Sequence, residues 1–197
     1  MGKYDKEVKK IYNTYKPETV TSHDEFLKNN KNVFSNLVSV IKEYRSRYIP
    51  KSKVIQYLDE IENAGDYKKV IDDIRNNILE ETISVETILA KLYDSANIIL
   101  TMVSFISEKN TQEILENIYS LYLKKNDSYG DAWHKRGSYG IYTELERKVF
   151  RFNNVVQHKL EVKNDESIED TLMDTLNYIT FFIICLKYVD PDMHDGE

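Results

Sequence analysis

Residues 166–186 read ESIEDTLMDTLNYITFFIICL, and this stretch decides the fold. In its first half the apolar residues recur at three- and four-residue spacings, which is typical of an amphipathic helix. Beyond Tyr178 nearly every residue is apolar. A helix that is apolar all round needs neighbours on several sides. We therefore predict a helix over 166–188 whose C-terminal half is buried by other helices.

The rest of the chain has the same helical character. Its prolines are Pro17, Pro50 and Pro191, so the range 51–190 lacks the strongest helix breaker. Ser22 and Asn110 each stand three residues before a glutamate in a capping-box pattern. The chain is predicted to be an all-α helical bundle, with further helices over 23–48, 51–63, 67–81, 85–106, 110–125 and 141–158. We divide it into an N-terminal helical region, 1–106, and a C-terminal domain, 107–190.

The composition limits the class of function. Lys+Arg total 27 and Asp+Glu total 33 in 197 residues, giving a net charge of −6, which disfavours general nucleic-acid binding. Cys185 is the only cysteine, so an intrachain disulfide is excluded and a reducing compartment is indicated. The apolar runs 98–106 and 179–186 are shorter than the roughly 20 residues of a membrane span, and no secretory signal is seen at the start. We expect a cytoplasmic protein without a membrane partner.

The predicted last helix carries a stripe of carboxylates. Glu166, Asp170 and Asp174 lie within about 80° of one another on a helical wheel, and Asn177 shares their face. Stacked carboxylates repel unless a cation lies between them, and oxygen ligands of this kind suit Mg²⁺. The alternative is a solvated acidic helix start that interacts favourably with the helix dipole.

The preceding helix offers positive charge. Lys148 and Arg151 lie beside its apolar face, and Glu144 lies one turn before Lys148. A phosphate clamp formed by Lys148 and Arg151 is one interpretation. The other is an ordinary Glu144 to Lys148 pair with a surface arginine.

Residues 125–140 read KNDSYGDAWHKRGSYG and hold half of the six glycines. We predict an ordered loop here. Tyr129 and Trp133, the only tryptophan, could stack on a base, and the alternative for Trp133 is packing in the core.

Together these residues resemble a known family. The run KKNDSYGDAW over 124–133, the spacing Lys148-x-x-Arg151-x-x-Asn154 and the segment 166–178 resemble the nucleotide modification associated domain of phage and bacterial proteins, over about 112–188. The block is more distantly similar to all-α nucleoside triphosphate pyrophosphohydrolases of the MazG and dimeric dUTPase type. Those enzymes hold Mg²⁺ between an E-x-x-E helix and an E-x-x-D helix, and this chain departs from both motifs.

The resemblance implies a phage-type protein that hydrolyses a (deoxy)nucleoside triphosphate between the α- and β-phosphates with Mg²⁺. The assigned roles are metal ligands (Glu166, Asp170, Asp174), catalytic base (Glu144 or Glu169) and substrate contacts (Lys125, Tyr129, Trp133, Lys148, Arg151, Asn177). Two alternatives stay open: a protein that sequesters a nucleotide without catalysis, and a helical factor that acts on a host protein through 1–106. By analogy with the family, a homodimer is expected.

Overall fold

The computed structural model describes residues 2–48, 85–130, 132–158 and 168–189. Within these ranges all regular elements are helical and no strand occurs, which confirms the predicted all-α class. The α-helices are α1 (Asp5–Tyr12), α2 (His23–Asn29), α3 (Val33–Tyr48), α4 (Val85–Ser107), α5 (Thr111–Tyr129), α6 (Gly137–His158) and α7 (Ile168–Ile184). A 3₁₀ helix, Ala132–Arg136, precedes α6, and a π-helical turn, Cys185–Val189, follows α7. The helices predicted over 51–63 and 67–81 lie outside the described residues.

The predicted single helix over 23–48 is two helices in the structure. Ser22 caps α2, its hydroxyl accepting a hydrogen bond from the backbone N–H of Glu25 at 3.4 Å. At the break, the side-chain amide and the backbone N–H of Asn30 both donate to the carbonyl of Phe26, at 3.0 and 2.9 Å. The backbone bond is the last i to i−4 bond of α2, and Asn30 is its C-cap, with φ of −105° and ψ of 15°. Asparagine favours helix ends because its side chain bonds to nearby backbone groups. The long apolar pattern did not reveal this end of α2.

The glycine-bearing stretch is mostly helical, so the prediction of a loop over 125–140 is wrong. α5, capped by Asn110 as predicted, continues to Tyr129, and Gly130 then adopts a positive φ of 51°. Gly137, with φ of 58°, begins α6 directly after the 3₁₀ helix. Glycine adopts this conformation without the steric cost that a side chain would add. The two glycines therefore provide the positive-φ positions on either side of the 3₁₀ helix Ala132–Arg136.

One hydrophobic core joins helices from both predicted regions. α7 packs against α1, α4 and α6, and α3 packs against α4 and α6. Several of the largest side chains in this core are fully buried: Tyr12, Tyr44, Leu92, Ile99, Leu145 and Phe182. Residues on either side of the proposed boundary at 106/107 thus bury apolar surface against each other.

Helix α1 was not predicted, and its contacts explain why it forms. At eight residues it is too short to be stable alone. Its buried side chains, Val8, Ile11 and Tyr12, have helical spacing, and that spacing was the available signal. Tyr12 donates to the side chain of Asn177, and just beyond the helix Tyr15 shares a 2.6 Å hydrogen bond with Thr180. Tertiary contacts with α7 hold this segment in place.

Two helices in the described part of the chain, Val85–Ser107 and Ile168–Val189, are long and apolar enough to cross a membrane, each with a mean hydropathy of 1.3. The apolar runs 98–106 and 179–186 lie within these two helices and cover only part of their length. Within the fold, 44% and 67% of the two apolar windows are buried. Core helices pass the same length and composition test, so this property does not decide where the protein works.

The two buried tyrosines on and after α1 predict a loss of stability in alkali. Burial raises the pKa of Tyr12 and of Tyr15 well above the usual value of 10.0. Above pH 10 the unfolded chain loses these phenolic protons and the folded chain keeps them, so the unfolding free energy is constant below that pH and falls above it. Each tyrosine contributes a slope of about 1.4 kcal/mol per pH unit. Urea unfolding between pH 9 and 11.5 should show a shallower decline for Tyr15→Phe than for the wild type, and equal slopes would contradict the assignment.

Candidate functional site

A cavity of about 360 Å³ opens between α5, the 3₁₀ helix and α7. Its volume falls within the range of small-molecule sites in proteins. The lining residues are Tyr122, Lys125, Asn126, Ala132, Trp133, Asp174, Asn177, Tyr178 and Phe181. Three helical elements therefore supply a wall that combines aromatic rings, amides and opposite charges.

One end of the cavity is charged. Asp174 on α7 accepts a hydrogen bond of 2.5 Å from the ammonium of Lys148 on α6. Its other carboxylate oxygen lies 3.6 Å from the ammonium of Lys125 on α5. The Lys148 side chain is 8% exposed and that of Lys125 is 56% exposed. Because a buried ammonium is costly without a partner, Asp174 stabilises Lys148, whereas Lys125 reaches solvent at the cavity.

The other end of the cavity is aromatic. The Trp133 ring stacks on Phe181 with centroids 4.6 Å apart and an interplanar angle of 16°. The indole Nε1 of Trp133 is buried and has no hydrogen-bond partner among the described residues. Phe181 follows Asp174 by two helical turns, which places the aromatic end about 10 Å along α7 from the charged end.

Amide and phenol groups lie between the two ends. Asn177 is buried, and its side-chain carbonyl accepts a hydrogen bond from the hydroxyl of Tyr12. Burial raises the pKa of Tyr178, and the negative charges of Glu144 and Asp174 raise it further. Tyr178 is therefore a neutral hydrogen-bonding group over a wide pH range.

The N-terminal segment braces the outer wall. The buried carboxylate of Asp5 accepts a 3.0 Å hydrogen bond from the hydroxyl of Tyr122 and a 3.5 Å one from the amide of Asn126. The ring of Tyr4 packs against Trp133 with centroids 5.6 Å apart. Residues preceding and beginning α1 thus hold lining residues of α5 and of the 3₁₀ helix.

The structure brings together part of the predicted site. Lys125, Trp133, Asp174 and Asn177 line the cavity, and Lys148 joins them through Asp174. Lys148 pairs with Asp174, and Glu144 pairs with Arg147 at 2.8 Å.

Among the described residues, Glu144, Glu169, Asp170 and Arg151 do not belong to the cavity lining. Glu169 lies 3.8 Å from the ammonium of Lys109. Asp170 and Arg151 are partly exposed residues of α7 and α6 outside the lining set. Glu166 and the side chain of Tyr129 lie outside what the structure describes.

Sequence reasoning missed five lining residues: Tyr122, Asn126, Ala132, Tyr178 and Phe181. Tyr122 and Asn126 lie one turn apart on the face of α5 that also carries Lys125, and this spacing was readable. What periodicity could not show is which other helix that face meets.

The Asp174 carboxylate is paired with lysines in this arrangement. One of its oxygens lies 2.5 Å from the ammonium of Lys148 and the other lies 3.6 Å from that of Lys125. Among the described residues, no three His, Cys, Asp or Glu side chains are grouped to hold a metal ion. The magnesium ion suggested by the family resemblance stays a prediction.

The fold and cavity define an all-α protein with a small-molecule-sized site between helices. Comparison with protein-family models, curated proteins and solved structures finds no match to this chain. The resemblance to nucleotide-modification proteins therefore rests on the residues quoted above. The dimer, the host partner of 1–106 and the cytoplasmic location stay predictions.

Proposed function

We propose that this protein binds a nucleotide in the cavity between α5, the 3₁₀ helix and α7. The order of groups along α7 carries the proposal. Asp174 with its two lysine partners comes first, the amide of Asn177 follows, and the stacked rings of Phe181 and Trp133 come last. A nucleotide presents a matching order of anionic phosphate, polar sugar and aromatic base. The base would lie at Trp133 and the phosphates at Lys125.

At the charged end of the cavity, the two lysines that pair with Asp174 have different roles. Lys125 is more than half exposed and lies at the longer distance from Asp174, so it can turn to a phosphate with little desolvation cost. Lys148 is buried and held by Asp174 at hydrogen-bond distance. Lys125 is thus the principal phosphate contact, and Lys148 fixes the carboxylate beside it.

Binding without hydrolysis is the function that the charge pairing favours. Glu144, Glu169 and Asp174 each lie within ion-pair distance of a lysine or arginine. Carboxylates paired in this way are poorly placed to share a metal ion or to activate water. Of the hypotheses raised by the sequence, a nucleotide-sequestering protein agrees best with these contacts, and a pyrophosphohydrolase is the competing outcome of the test below.

Calorimetric titration with the common nucleoside and deoxynucleoside triphosphates tests the proposal. At least one should bind saturably, and Lys125→Ala should weaken its binding about tenfold or more through loss of a charge-assisted phosphate contact. Lys124→Ala is the matched control, since Lys124 is an exposed lysine on the same helix outside the cavity lining, and its affinity should stay within about twofold of wild type.

Chromatography of the titrated samples separates binding from catalysis. The proposal expects the triphosphate to be recovered intact with or without Mg²⁺. Release of monophosphate and pyrophosphate would replace it with the enzyme hypothesis. Absence of saturable binding by every nucleotide would contradict both.

A further inference from the structure

We infer that Asn177 is a specificity-determining residue that donates a hydrogen bond to a carbonyl oxygen of the bound base, and that Tyr12 is the positioning residue that fixes its amide. The inference rests on the proposed nucleotide site. It adds a class of base: keto bases, such as uracil, thymine and guanine, in preference to cytosine and adenine.

The orientation of the Asn177 amide determines which of its groups faces the cavity. Its carbonyl oxygen accepts the hydrogen bond from the hydroxyl of Tyr12, which approaches from α1. An amide carries its oxygen and its NH₂ group on opposite branches. With the oxygen directed to α1, the NH₂ group is left for the cavity that Asn177 lines. Asn177 therefore offers donors to a ligand.

The Tyr12 hydroxyl stays protonated and in place. Tyr12 is fully buried, and burial raises its pKa well above the usual value. It stays a neutral phenol under physiological conditions and keeps the proton that it donates. Its ring is packed between those of Tyr15 and Tyr119, with centroids 6.2 and 6.3 Å away. The position of Tyr12 is therefore fixed, and the bond that it donates stabilises the amide orientation seen in the structure.

The position of Asn177 along α7 determines which part of the ligand it meets. Asn177 lies one helical turn before Phe181 on the same face of α7, beside the stacked pair Phe181 and Trp133. A donor next to the proposed base position favours a base edge that presents an acceptor. Keto bases present oxygen where cytosine and adenine present an amino group.

Two matched nucleotide pairs test the inference: dUTP against dCTP, and dGTP against dATP. Each pair shares its sugar and phosphates and differs on the base edge. The wild type should bind the keto member about tenfold more tightly in whichever pair binds, because a donor facing an amino group leaves both unpaired. Asn177→Asp should reverse the preference, since one carboxylate oxygen still accepts from Tyr12 and the other now accepts from an amino group. Both members of a pair carry the same phosphates, so the repulsion between the phosphates and the added charge cancels in the affinity ratio.

Variants of the two tyrosines separate positioning from general stability. Tyr12→Phe should reduce the affinity ratio to about threefold or less, because the amide can then rotate. Tyr15→Phe is the matched control: it loses a buried hydrogen bond to Thr180, which does not line the cavity, and should keep the wild-type ratio. Asn177→Asp tests the inference even where Tyr12→Phe fails to fold.

The outcomes distinguish the inference from the proposal beneath it. Tight binding of both members of each pair with equal affinity would overturn the base selection and leave nucleotide binding intact. A ratio that Asn177→Asp leaves unchanged would overturn the role of Asn177. Failure of all four nucleotides to bind would overturn the proposed function and this inference together.

Discussion

Asp174→Ala should lower the unfolding free energy by about 3 kcal/mol, because it removes the carboxylate that pairs with a buried ammonium. The Lys148 side chain is 8% exposed and lies 2.5 Å from Asp174. Lys125 and solvent at the cavity moderate the loss relative to a fully enclosed ion pair. Urea unfolding at neutral pH measures the change.

Two further variants show that this loss comes from the unpaired lysine. Lys148→Met keeps the buried aliphatic chain and leaves Asp174 near Lys125, so it should cost less than Asp174→Ala. The double variant with both substitutions should recover at least about 1 kcal/mol relative to the sum of the single effects. Glu144→Ala is the surface control, since its pair with Arg147 is exposed, and should cost less than about 0.5 kcal/mol. An equal cost for Glu144→Ala and Asp174→Ala would contradict the buried pair.

Phe182→Ala should lower the unfolding free energy by about 4 kcal/mol, through lost apolar burial and the cavity that it leaves. Phe182 on α7 is fully buried, and its ring meets that of Tyr44 on α3 edge to face with centroids 4.7 Å apart. The contact crosses from the C-terminal region to the N-terminal one. Because the two regions share this core, they should unfold in one transition that shifts as a whole.

Fluorescence of Trp133 and far-ultraviolet circular dichroism, followed in the same urea titration, test this cooperativity. In wild type and in Phe182→Ala alike, the two probes should give coincident unfolding curves. Two separated transitions, with only one moved by the substitution, would show that 1–106 and 107–190 are independent units.

The sequence predicted helices better than it predicted how they end. The N-caps at Ser22 and Asn110 are local in sequence, so they were readable, and their side chains accept hydrogen bonds from the backbone N–H groups of Glu25 and Glu113 in the structure. The end of α2 depends on the capping residue Asn30, which apolar spacing does not reveal. Helix α1 depends on contacts between residues 165 positions apart, such as Tyr12 with Asn177, and no local pattern contains them.

The charged part of the site was predictable because charges on one helical face stay together. The stripe through Asp174 and the basic residues at Lys148 were found from periodicity, and the structure pairs them across α6 and α7. Which members of a stripe reach the cavity depends on where the helices cross. Asp174 lines the cavity, whereas Asp170, one turn earlier, does not belong to the lining. The contact between Asp5 and Tyr122, which braces the outer wall of the cavity, joins two segments that are far apart in the sequence.

The most direct test of the nucleotide site uses the single tryptophan. Its indole N–H gives one nuclear magnetic resonance signal from a group that lies at the cavity. Titration with the tightest-binding nucleotide should move this signal saturably, with the midpoint found by calorimetry, and Lys125→Ala should shift that midpoint to higher concentration. An indole signal that stays in place while the nucleotide binds would locate the ligand elsewhere and contradict the account.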